Sequence, residues 1–106
     1  MALGDAPVLE TLAEINAVSL ARTELDARSL MLVRLAALIA VDAPVSSYLL
    51  HIGPAADAGL TTDDAQDVLV AVAPIVGTPR TAAAAVKIVE ALDVAIELAI
   101  EDAELG

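Results

Sequence analysis

A chain of 106 residues with 16 Asp and Glu against five Lys and Arg carries a formal charge of −11, which repels phosphate backbones. It has one tyrosine, no Phe and no Trp to stack on a base, so nucleic-acid binding is excluded as a main role. Zero cysteines exclude disulfides, thiol catalysis and thiolate metal sites.

The first predicted helix runs from about Pro7 to Val18, with Asp5 as its N-cap and proline in its first turn. Leu9, Leu12, Ala13 and Ile15 form one apolar face, while Glu10, Glu14 and Asn16 point elsewhere. Ser19 to Leu25 reads either as an extra helical turn or as a connection. Asp26 caps a second helix, Ala27 to Val41, which is apolar almost all round and is expected at the buried centre. Arg34 is its exception: such a charge needs a partner, either a ligand carboxylate or an acid on another helix or subunit.

Asp42 and Pro44 restart a third helix carrying Ser46, Ser47, Tyr48 and His51. Gly53-Pro54 is expected to kink or break it just after His51, with a short continuation to Gly59. Thr61 and Asp64 form a capping box for a fourth helix, Thr62 to Val76, bent in its last turn at Pro74. Thr78-Pro79 starts the fifth, from Pro79 to about Ala103. Its Ala82–Ala85 run suits close helix approach, and its acidic end is expected to fray. The fold class is therefore all-α, a single domain over residues 1–106 with about five helices.

Hydrophobic residues make up 58% of the chain, against about 45–50% in an average soluble domain. So small a domain leaves much of that surface wet, and a tightly packed or intertwined homo-oligomer is expected. The longest unbroken apolar run, Leu35 to Val41, is far shorter than the ~20 residues a bilayer span needs. With no signal peptide visible either, a cytoplasmic protein outside the membrane is the expectation.

His51 is the single histidine and the single candidate general base. Ser47 lies four residues before it and Tyr48 three, on neighbouring faces of one helix. One histidine and no cysteine give no expected transition-metal site, and no cofactor is expected.

The order LVRLAALIA, SYLLHIGPAADAGLTTDD and VLVAVAPIVGTPR resembles the carboxymuconolactone decarboxylase family, which includes the alkylhydroperoxidase D-like proteins. The resemblance spans about Leu25 to Leu92 and is most specific at the helix ending in His51, at Ala58–Thr61 and at Gly77-Thr78-Pro79. It implies an all-helical fold assembling as trimers or hexamers. Redox members carry Cys-x-x-Cys-x-x-x-His with a glutamate twelve residues earlier. Those positions are Pro44, Ser47 and Leu32 here, and only His51 remains, so thiol peroxidase chemistry is excluded. Decarboxylase members do without the cysteine pair. By resemblance, His51 would be the acid/base of a decarboxylase-like lyase acting on a small carboxylate or lactone. Arg34 or Arg80 would hold the anion, with Ser47 and Tyr48 nearby. The alternative is a catalytically silent member kept for binding or assembly.

Overall fold

A computed structural model describes residues 6–105. Five helices follow in order: α1 (Ala6–Arg22), α2 (Ala27–Ala40), α3 (Val45–Asp57), α4 (Thr62–Val76) and α5 (Thr78–Leu105). The chain is all-α, as its periodicity predicts. The N-cap expected at Asp5 lies outside the described residues. Ser19 to Arg22 extends α1, and α5 stays helical to Leu105, past the end expected at Ala103.

Helix α2 touches three others, α3, α4 and α5, while α3 and α4 each also pack on α5. The core is small because the chain has almost no large rings to fill it. Ile39, Ala84 and Ala91 are fully buried, with Ala43 and Tyr48 close behind. Ala84 and Ala91 sit two turns apart on one face of α5, where a methyl group in place of a larger side chain lets helix backbones approach closely. The alanine run thus does what its smoothness suggests at Ala84. Centrality does not sheathe α2 completely: Met31 and Ile39 are buried, but Val33 stays exposed.

The turns are built from standard caps with one substitution. Asp26 accepts the Ser29 amide at 2.7 Å and starts α2 as expected. At the other end, Ala43 N–H donates to the Leu38 carbonyl and Asp42 N–H to that of Ile39, the paired bonds of a Schellman ending. The left-handed residue in that ending is Asp42, at φ 55°, where glycine is usual. Asp42 therefore closes α2 rather than starting α3, whose N-cap is Pro44 without any side-chain cap. Lys87 of α5 donates to the Asp42 carboxylate at 2.8 Å, and Arg80 to the Ala40 carbonyl at 2.9 Å. These two cations hold the corner against α5; the Lys87 hydrogen bond, then its charge and to a lesser degree that of Arg80, lower the pKa of Asp42.

Gly53-Pro54 does not break α3. The helix continues to Asp57, and the Pro54 carbonyl still accepts from Ala58. Two features make the proline tolerable. Gly53 has no Cβ to clash with the proline ring. Leu50, whose carbonyl loses its helical partner, is 76% exposed, so water can reach it. The break comes at Gly59, φ 86°, in a second Schellman ending: Leu60 N–H donates to Ala55 and Gly59 N–H to Ala56. Gly77, φ 97°, joins α4 to α5 with no intervening loop, and its carbonyl receives both the Thr81 amide and hydroxyl. The start expected at Pro79 thus moves back one residue, with Thr78 already helical.

Helix α1 stands apart. All of its residues are exposed, and it makes no close backbone approach to α2–α5. One side chain ties it down: Arg34 donates to Asn16 Oδ1 at 2.7 Å and to Ser19 Oγ at 3.0 Å. The acid expected opposite Arg34 is replaced, within the chain, by these two neutral acceptors. No helix of the described residues is long and apolar enough to cross a membrane.

With so few side chains in the core, Ile39 should carry a large share of the stability. Ile39→Ala is expected to cost about 3 kcal/mol and Ile39→Val about 1 kcal/mol in urea denaturation at unchanged slope. A loss below about 1 kcal/mol for the alanine variant would mean that Ile39 is not the packing centre.

Candidate functional site

A cavity of ≈ 150 Å³ opens where α2, α3, the α3–α4 turn and α5 meet. Its wall is mostly aliphatic, with Met31 and Leu35 from α2, Ile52 from α3, and Ile88 and Leu92 from α5. Four side chains with polar atoms take part: Tyr48, His51, Thr61 and Thr62.

His51 owes its setting to the helix that carries it. Its Nδ1 lies 2.7 Å from the Ser47 carbonyl, one turn earlier. A carbonyl only accepts, so Nδ1 carries the proton in that bond, and Nε2 is the nitrogen left to gain or lose one. The expected Ser47–His51 link is thus made through the Ser47 backbone, not through its hydroxyl. Tyr48 is 3% exposed, and its hydroxyl has no hydrogen-bond partner among the described residues. Burial, helped by the negative charge of Asp42, pushes the phenol above its ordinary pKa, so it remains a protonated donor.

The rim is built by a clasp that sequence reasoning only half identified. Thr61 and Asp64 form the predicted capping box, the Asp64 amide donating to Thr61 Oγ at 3.2 Å and the Thr61 amide to Asp64 Oδ2 at 2.8 Å. Arg28, at the start of α2, then grips Asp64 through both guanidinium nitrogens, at 2.6 and 3.1 Å, and also donates to the Gly59 carbonyl at 3.2 Å. One cation thus joins α2 to the end of α3 and the start of α4. Its hydrogen bonds, followed by that from the Thr61 amide, hold the Asp64 carboxyl well below the usual carboxylate range. The available signal was Arg28's place two residues after a helix cap in a chain with only five cations.

The other expected ligand groups lie elsewhere. Arg34 is bonded to α1 and does not line the cavity. Arg80 borders a separate shallow depression with Asp42, Val76, Pro79 and Ala83, and its guanidinium caps α2. The fold therefore brings Tyr48 and His51 into one wall, with Ser47 behind them, and does not bring either arginine to join them. Among the described residues, no group of three His, Cys, Asp or Glu side chains is placed to hold a metal ion.

The Arg28–Asp64 clasp should titrate. Because the folded pKa of Asp64 is depressed, its contribution is complete above the unfolded carboxyl value of about 4 and is lost as pH falls below it. Asp64→Asn should therefore be less stable than wild type at neutral pH, and the difference should shrink steadily below about pH 4 in thermal denaturation. A gap independent of pH would show that charge plays no part.

Comparison with known proteins agrees with this architecture. No curated protein matches the chain, and no solved structure does. The model of the carboxymuconolactone decarboxylase family matches residues 6–91, from the first residue of α1 to Ala91 in the cavity wall, and so includes both the detached helix and the His51 helix. On that match, covering most of the chain, the protein belongs to the carboxymuconolactone decarboxylase family.

Proposed function

We propose that the protein is a homo-oligomer in which His51 transfers a proton at a small ring-sized molecule, lactone or enol in type, held in the cavity. The observation that carries this reading is the imidazole itself: the chain's one histidine lines an apolar cavity with Nδ1 committed to the Ser47 carbonyl, leaving Nε2 as the exchanging atom. Held in a site that excludes most water, a placed acid/base supplies about 10²–10⁴ in rate. A decarboxylase-like lyase fits family membership, whereas a thiol peroxidase does not fit a chain without cysteine. The carboxylate counter-charge assigned to Arg34 or Arg80 would have to come from another subunit, since both are engaged in holding helices.

The silent-member reading has its own supporting observation. His51 is oriented by a backbone carbonyl alone, and no carboxylate lines the cavity to assist it. Turnover separates the two readings. Wild type should convert γ-carboxymuconolactone or an uncharged enol-lactone faster than His51→Ala by about 10² or more. Background rates for both substrates with both proteins would leave a binding or assembly protein.

Assembly is supported by area. A monomer of 10.7 kDa should expose about 5,500 Å², and this chain exposes 7249 Å². The excess, about 1,700 Å², is what an obligate subunit interface buries per chain. The radius of gyration, 15.0 Å, likewise exceeds the roughly 13 Å of a compact domain of this length. Val8, Leu9, Leu12, Ile15, Val18 and Leu20 on α1 are 47–61% exposed, and Val89, Ile96, Leu98 and Ile100 on α5 are 49–57% exposed. Exposed apolar side chains in this number on two helices support a contact between subunits. Light scattering should return three or six chain masses; a helical monomer at micromolar concentration would remove the proposal.

A further inference from the structure

Two helical segments of the chain pack against almost nothing in it. Every residue of α1 is exposed, and from Asp93 to Leu105 every residue of α5 except Ala95 is exposed. On α5, Ile88, Leu92, Ala95, Ile96, Ala99 and Ala103 recur every three or four positions and share one face. Ile88 and Leu92 line the cavity, so this apolar stripe continues along α5 beyond the cavity wall. Ile96, the largest side chain on that continuation, is 57% exposed.

Helix α1 turns a matching face inward without closing on anything. Leu12, Ile15, Asn16 and Ser19 share one face by the same spacing. Arg34 reaches that face from α2, donating to Asn16 Oδ1 and Ser19 Oγ. The apolar side of α1 therefore looks toward α2, yet the α1 backbone stays clear of every other helix. Leu12 and Ile15 remain 57% and 61% exposed. The long arginine side chain acts as a spacer across an open groove between α1 and α2.

Length and charge say what fits that groove. Val8 to Arg22 of α1 and Leu92 to Leu105 of α5 each span about 20 Å at the helical rise. Arg28, Arg34, Arg80 and Lys87 each have an acceptor within the chain. Arg22, in the last turn of α1, has none among the described residues. The end of α5 carries Glu97, Glu101, Asp102 and Glu104 and no cation. Asp102 borders the α5 stripe three residues after Ala99, as Arg22 borders the α1 face three residues after Ser19. With the helices parallel and Asp102 at Arg22, Ile15 falls at Ala95 and Leu12 at Leu92, so the apolar faces stay in register. The chain's own α5 makes no close backbone approach to α1. The exposure beyond that of a compact chain, about 1,700 Å², is of the order an obligate interface covers.

We infer that the end of α5 from a second copy seats in the groove between α1 and α2, with Ile96 near Ile15 and Asp102 beside Arg22. The inference rests on the assembly reading above and names the two surfaces that meet. Because the α5 stripe begins in the cavity wall, each cavity then adjoins a subunit contact.

Exchanging the charges between chains tests this. Full-length Arg22→Asp and Asp102→Arg chains are diluted at low ionic strength, and the concentration of half-assembly is read by light scattering. Each variant alone sets like charges together and is expected to assemble at least about threefold more weakly than wild type. The chain carrying both substitutions is expected to return to within about twofold of wild type. An equimolar mixture of the two single variants is expected to assemble more tightly than either alone, since each contact between unlike chains joins opposite charges. Ile96→Asp is expected to keep its helicity, being outside the core, and to assemble at least about tenfold more weakly. Ile96→Asp assembling like wild type overturns the inference, as do single charge variants that assemble like wild type. A doubly substituted chain, or a mixture, no tighter than the single variants also overturns it. Wild type that stays monomeric removes the assembly reading and this inference together. An oligomer indifferent to all three substitutions removes this inference alone.

Discussion

The close approach of α5 to the other helices, permitted by Ala84 and Ala91, is the constraint on which the rest depends. Both residues are fully buried, and Ile39 is the one large side chain fully buried beside them. In a chain without Phe or Trp, cohesion has to come from short distances between backbones, because few side chains can fill a wider gap. Ala91 also forms part of the cavity wall. The helix contact that makes the core and the surface that shapes the cavity are thus one stretch of α5. A larger residue at position 91 would crowd both.

The cations are the second scarce material, and their placement keeps them out of the cavity wall. Arg28, Arg34, Arg80 and Lys87 each reach across to a different element: the α3–α4 turn, α1, the end of α2 and the α2–α3 corner. Each satisfies an acceptor that would otherwise depend on solvent, and two of them neutralise carboxylates. With 16 acidic residues, a cation serves best where it joins elements already required to meet. The pattern leaves no arginine or lysine in the cavity wall, to which one helix brings Tyr48 and His51.

Much of this was legible in the residues. The helix count, the Asp26 cap, the Thr61–Asp64 box and the stops at Gly59 and Gly77 follow from local chemistry that acts within a few residues. His51 and Tyr48 could be placed on one side of one helix from their spacing alone. Errors arose where a local rule met a particular neighbour. Gly53 relieved Pro54, so a breaker pair became an ordinary helical stretch. Asp42 took a left-handed conformation because Lys87 rewards its carboxylate there, a contact 45 residues away that no window reveals. Arg34 and Arg80 were expected at the ligand because a charge in an apolar helix invites a functional reading. Their actual acceptors, an amide, a hydroxyl and a carbonyl, carry no charge that composition could point to.

Helix α1 links these themes. Seventeen residues are close to the length at which an isolated helix is marginal in water, and this one has no packing of its own in the chain. Its hold on the body passes through Arg34, which leaves α2 within one turn of Leu35 in the cavity wall and within one turn of Met31. A second copy covering the apolar side of α1 would therefore steady the very segment of α2 that closes the cavity. On this reading assembly and ligand binding draw on adjoining faces of the same helix. The apolar excess that sets this chain apart is then the condition for a well-formed site rather than a feature separate from it.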